Sequence, residues 1–75
     1  MGVRSFLVYV APDARDEVAD ALAADPACLA FPSTNRDVVI VVTDLGDREA
    51  ERTFDERLAA IPGVLNVALV AGYAT

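Results

Sequence analysis

Seventy-five residues leave room for one domain and one core, and a chain this short buries only about 60% of the surface its unfolded form exposes. An apolar fraction of 55% predicts a well-filled core with apolar surface left over for a partner. Twelve Asp and Glu against six Arg, with no Lys and no His, give a net charge of −6 and argue against a nucleic-acid partner, whose phosphates need clustered cations.

Val3 to Val10 is a continuous apolar run rich in β-branched and aromatic residues, stopped by Ala11-Pro12-Asp13, and predicts a buried central strand. Asp13 offers an N-cap, Asp16 and Glu17 suit the positive end of a helix dipole, and Ala14, Val18, Ala21 and Leu22 form one apolar stripe. A first helix is expected from Asp13 to about Ala24. Pro26 ends it, because proline has no N–H to donate and disfavours a helical residue before it. A short strand from Cys28 to about Phe31 follows, and Pro32 places it at a sheet edge. After the polar turn Ser33 to Asp37, the β-branched run Val38 to Thr43 predicts an interior strand closed by Asp44-Leu45-Gly46.

Asp47 caps a second helix with Glu49 and Glu51 in its first turn and Ala50, Phe54, Leu58 and Ile61 along one face. Pro62-Gly63 stops it. The last strand runs from Val64 to about Ala71, with Leu65, Val67 and Leu69 alternating with Asn66, Ala68 and Val70. The stretch Leu22-Ala23-Ala24-Asp25-Pro26-Ala27-Cys28-Leu29 matches Leu58-Ala59-Ala60-Ile61-Pro62-Gly63-Val64-Leu65, either as an internal repeat or as convergent helix-ending chemistry. Two strand–helix–strand halves with right-handed crossovers interleave into an α+β, ferredoxin-like β-α-β-β-α-β sandwich. Its four-stranded antiparallel sheet carries both helices on one face, as a single domain over residues 1–75.

Chemistry is scarce. Without His, proton transfer would need a strongly perturbed carboxylate, yet the acids fall on the polar sides of helices, where water keeps them ordinary. The four glycines are far apart and form no phosphate-cradling loop, and Ser5 and Ser33 have no base to activate them. Cys28 is the only cysteine, so neither an internal disulfide, a four-ligand metal site nor an iron–sulphur cluster can be assembled; it reads as a small buried residue. The expectation is a binding protein with no catalytic residue, no metal and no organic cofactor. No run approaches the ~20 apolar residues of a membrane span, and the first residues do not read as a secretory signal, so a cytoplasmic location is expected. The acids either attract a basic ligand or merely keep the chain soluble.

That leaves the sheet face not covered by helices as the candidate site. Taken alternately, Leu7, Tyr9, Val38, Ile40, Val42, Leu65, Val67 and Leu69 are expected to face the helices. The open face is then expected to carry Phe6, Val8, Val39, Val41, Asn66, Ala68 and Val70, an apolar platform for a partner. On that phase, Val8→Asp and Ala68→Asp should each weaken binding and leave the fold intact. The alternatives are a first-strand phase one residue off, or a face buried in a homodimer.

Four segments resemble the NapD chaperones of periplasmic nitrate reductase nearly end to end. They are the opening Ser5-Phe6-Leu7-Val8, the helix exit Pro26-Ala27-Cys28, the strand Asn35-Arg36-Asp37-Val38-Val39-Ile40-Val41-Val42, and the ending Ile61-Pro62-Gly63-Val64-Leu65-Asn66-Val67-Ala68-Leu69-Val70. The resemblance implies a cytoplasmic chaperone that binds the twin-arginine signal peptide of a molybdenum-containing reductase and restrains export until cofactor insertion is complete. A monomer or weak dimer is expected, since the open face must be free for the peptide. An amino-acid-binding effector domain like that of Lrp/AsnC-type regulators shares the element order and the Pro62-Gly63-Val64 exit, and a structural or regulatory subunit of an oxidoreductase is a third possibility.

Overall fold

The computed structural model describes residues 2–74, with side chains as far as Val70. The elements follow the expected order: β1 (Gly2–Val10), α1 (Arg15–Ala23), β2 (Cys28–Pro32), β3 (Val38–Leu45), α2 (Arg48–Ala60) and β4 (Val64–Ala74). The strands form one antiparallel sheet in the order β2-β3-β1-β4, which is the ferredoxin-like arrangement. The two richest β-branched runs, β1 and β3, take the interior, and β2, ending in Pro32, takes an edge, where proline's missing N–H costs no ladder bond.

The two helices start differently. Asp47 caps α2 by accepting a 2.7 Å hydrogen bond from the Ala50 amide, as the sequence predicts. At α1 the cap position falls to Ala14, and Asp13 adopts a left-handed conformation at φ 68°. The cause is a tight return of the chain. Ala11 N–H donates to the Gly63 carbonyl at 2.8 Å, and Ala14 N–H donates to the Ala11 carbonyl at 3.0 Å, so Asp13 serves the turn instead of the helix. Gly63 is required on the other side of this crossing. Its φ is +96°, and a Cβ there would stand 2.8 Å from Ala14 Cβ.

Val18, Ala19 and Leu22 of α1 and Phe54 and Leu58 of α2 pack on one face of the sheet, with Ala50 and Ile61 at the margin. Ala21, expected in the buried stripe, is exposed, and Ala19 takes its place. Beneath the helices lie Phe6, Val8 and Val10 of β1, Val39, Val41 and Leu45 of β3, and Cys28 of β2. The Phe6 and Phe54 rings meet at 6.2 Å between centroids.

This packing overturns the expected phase of β1 and β3. Phe6, Val8, Val39 and Val41 lie under the helices and are buried, Val8, Val39 and Val41 completely. In the antiparallel register Phe6 stands opposite Val41 and Val8 opposite Val39, so each pair shares the covered face. Leu7, Tyr9, Val38, Ile40 and Val42, expected beneath the helices, stand on the other side. Arg4 explains how the phase works physically, because it belongs to the covered side too. It stacks on Phe6 with its guanidinium carbon 4.9 Å from the ring centroid and donates to both Asp55 oxygens at 3.1 and 3.3 Å. Its Nε also lies 3.2 Å from Glu51. A charge that would be costly under a sheet is held at the strand's end by two carboxylates one helical turn apart on α2.

The phase of β4 is as expected at Asn66, Val67 and Ala68, but Leu65 and Leu69, expected beneath the helices, are exposed. Val67 pairs with Val8 and packs against the core, Leu69 pairs with Phe6 but stays exposed at the sheet edge, and Asn66 pairs with Tyr9 and Ala68 with Leu7 on the open side. Two β-bulges interrupt the pairing with β1, and they leave Leu65 and Val70 as exposed extra residues outside the alternation.

Candidate functional site

The uncovered sheet face is assembled by cross-strand register. One row runs Phe31, Ile40, Leu7 and Ala68 across β2, β3, β1 and β4. A second begins Leu29, Val42 and Ser5, and a third runs Val38, Tyr9 and Asn66. Apolar side chains dominate, and three large ones are open to solvent: Leu29 at 60%, Phe31 at 52% and Ile40 at 43%. They adjoin one another across the β2–β3 pair, so the exposure is one contiguous patch and not scattered single residues.

Of the seven residues expected at the site, Asn66 and Ala68 lie on this face, Val70 is an exposed bulge residue at its edge, and Phe6, Val8, Val39 and Val41 belong to the core. Sequence reasoning missed Leu7, Tyr9, Leu29, Phe31, Ile40 and Val42. The signal that finds the β3 members is Asp44, which shares their parity. An acid at the end of an otherwise apolar strand marks Val38, Ile40, Val42 and Asp44 as the side turned away from the helices, although Val38 itself is buried.

The electrostatics of the two faces differ. On the helix side Arg4 pairs with Glu51 and Asp55, Arg57 with Asp25 at 3.3 Å, and Arg52 approaches Glu49 at 3.9 Å. On the open face Asp44 is the one charged side chain among the described residues that the alternation brings to the surface. Among the described residues no group of three or more His, Cys, Asp or Glu is placed to hold a metal ion. No described helix is long and apolar enough to cross a membrane.

Cys28 lies on the covered side of β2, opposite Thr43, and is buried. Desolvation, with Asp25 adding like-charge repulsion, pushes its thiol up to about 11 from an ordinary 9.0. The thiolate is therefore disfavoured in the folded state, and alkylation at pH 8 is expected to be slow until denaturant is added. Because the folded value is raised, the associated stability is fully present below pH 9. It is lost as pH rises from about 9 to about 11, which denaturant midpoints at pH 8 and pH 10.5 will register. Rapid alkylation of the native protein would show that the thiol is not buried.

A family model described as NapD protein matches residues 1–74. The solution structure of the E. coli Tat proofreading chaperone protein NapD superposes with a TM-score of 0.81 at 28% sequence identity, covering 92% of this chain and 74% of that one. No curated protein matches the chain by sequence. A family match over residues 1–74, together with a superposition that covers 92% of the chain, has one consequence: the chain belongs to the NapD family.

Proposed function

We propose that this protein is a Tat proofreading chaperone that binds the twin-arginine signal peptide of a molybdenum-containing reductase on its open sheet face, restraining export until cofactor insertion and folding are complete. The observation that carries the proposal is the row Phe31, Ile40, Leu7 and Ala68, an apolar path across all four strands with no helix above it, in a chain of this family. Three inter-strand steps of about 4.8 Å make a platform ~14 Å wide, the length of roughly ten helical residues. A signal peptide's apolar stretch can lie on it as a helix with one face buried. Leu7, Tyr9, Leu29, Phe31, Ile40 and Val42 would supply the apolar contacts, with Asn66, Ala68 and Val70 along the β4 side.

A peptide held in this way is withheld from the export machinery for as long as it stays bound, and the acidic chain raises the encounter rate with its basic end. No bond is made or broken. The role assigns no catalytic residue, and it places the protein in the cytoplasm as a monomer or weak dimer. Titration of the purified chain with a synthetic twin-arginine signal peptide tests the proposal. Saturable one-to-one binding with a negative heat-capacity change is expected, as apolar surface is buried; absence of binding at tens of micromolar would overturn it.

A further inference from the structure

The open face has a polarity, set by one residue. Asp44 leaves β3 two positions after Val42, and its neighbours Thr43 and Leu45 are both buried under the helices, so its carboxylate stands on the open side. Its backbone is pinned, the amide donating to the Ala27 carbonyl at 3.1 Å. Together with Pro26, Ala27, Leu29, Val42 and Thr43 it lines a shallow recess at that end of the sheet. Among the described residues the Asp44 carboxylate takes part in no ion pair and accepts no side-chain hydrogen bond, whereas Glu49, Glu51, Asp55 and Asp25 are each engaged by an arginine. A separate acidic recess lies past the Val38 end of the strands, off the open-face rows. Asp13, Asp16 and Asp37 there surround Arg15, which lies 3.9 Å from Asp16 and donates to the Arg36 carbonyl at 3.1 Å.

We propose that Asp44 is the acceptor for a guanidinium of the bound peptide and thereby fixes the direction in which the peptide crosses the sheet. The inference rests on the peptide-binding reading above. A signal peptide carries its cations before its apolar run. With the arginine pair seated in the recess beside Leu29 and Val42, the apolar run that follows is laid over the row Phe31, Ile40, Leu7 and Ala68. Asp44 lies four strand residues, about 13 Å, from Ile40 along β3, a distance that about four extended peptide residues ahead of the helix can cover. A planar guanidinium can bond a carboxylate through two parallel N–H groups, which a lysine cannot, so the same residue would supply selectivity for arginine.

The test is a binding cycle with two peptides, one carrying the arginine pair and one with both arginines replaced by glutamine. Against the arginine peptide, Asp44→Asn is expected to weaken binding about tenfold and Asp37→Asn less than about twofold, as a charge-assisted hydrogen bond is lost only in the first. Against the glutamine peptide, Asp44→Asn and the unaltered chain should bind alike. A spin label on the peptide's N-terminus should broaden the amide signals of Leu29 and Val42 more than those of Val38 and Asn66. Unchanged affinity of Asp44→Asn for the arginine peptide, or broadening centred on Val38 and Asn66, overturns the assignment and leaves the peptide-binding reading standing. Failure of the unaltered chain to bind the arginine peptide overturns both.

Discussion

A Val8→Asp variant is expected not to fold, and this is the largest single effect that the structure predicts. Val8 has no exposed surface and stands in a central strand between Val39 on β3 and Val67 on β4, all on the face covered by helices. The substitution loses about 1.5–3 kcal/mol of apolar burial. It also strands a carboxyl group where no donor is available, which costs roughly 2–7 kcal/mol even if the group takes up a proton. A chain of 75 residues has a total stability of only about 4–11 kcal/mol at 0.05–0.15 kcal/mol per residue. The loss is of the same size as the whole. Circular dichroism and thermal melting should show no cooperative transition, in contrast to the fold-neutral outcome that the strand's apolar pattern alone suggests. A native-like melt within a few degrees of the parent would mean that Val8 is on the open face after all.

The element order, the antiparallel sheet with β1 and β3 inside, the Asp47 cap and the Gly63 stop are all legible in the residues, because each depends on local chemistry or on a long apolar run. The phase of β1 is not. Both parities of Val3 to Val10 are apolar enough to be buried, and the one charge in the run, Arg4, sits on the buried parity. A reading that places charge toward water is misled by a contact with Asp55, 51 positions away. Asp13 misleads in the same way, since its suitability as a helix cap is local while the bond from Ala11 to Gly63 that draws it into a left-handed turn is not. For β4 the alternation of Asn66 and Ala68 with Val67 does place the first two on the side away from the helices, although Leu69 at the edge is not buried. Leu65 and Val70 fall outside it because bulges shift the pairing, and nothing in the sequence of an apolar edge strand marks where an extra residue will be accommodated.

Ile40→Asp is the second large effect, expected on binding and not on folding. Ile40 is 43% exposed at the middle of the open row, flanked by Phe31 and Leu7, so a carboxylate there can reach water in the free protein. The fold should lose no more than about 1 kcal/mol, the span of strand preference at such a site. Under a bound apolar helix the same carboxylate is desolvated without a partner, and binding should weaken by roughly 30- to 100-fold, the equivalent of about 2–3 kcal/mol. Ala68→Asp, at the β4 end of the row, should act in the same direction. The added negative charge also draws the peptide's arginines, which opposes the loss. Ile40→Asn removes both that attraction and the cost of burying a full charge and should weaken binding less, so the pair of variants separates desolvation of the charge from the added polarity. Raising the salt concentration should widen the gap between Ile40→Asp and Ile40→Asn, because screening removes the attraction and leaves the larger desolvation cost of the carboxylate in place. Full-strength peptide binding by both Ile40 variants, with melting curves like the parent's, would show that the peptide does not lie on this face.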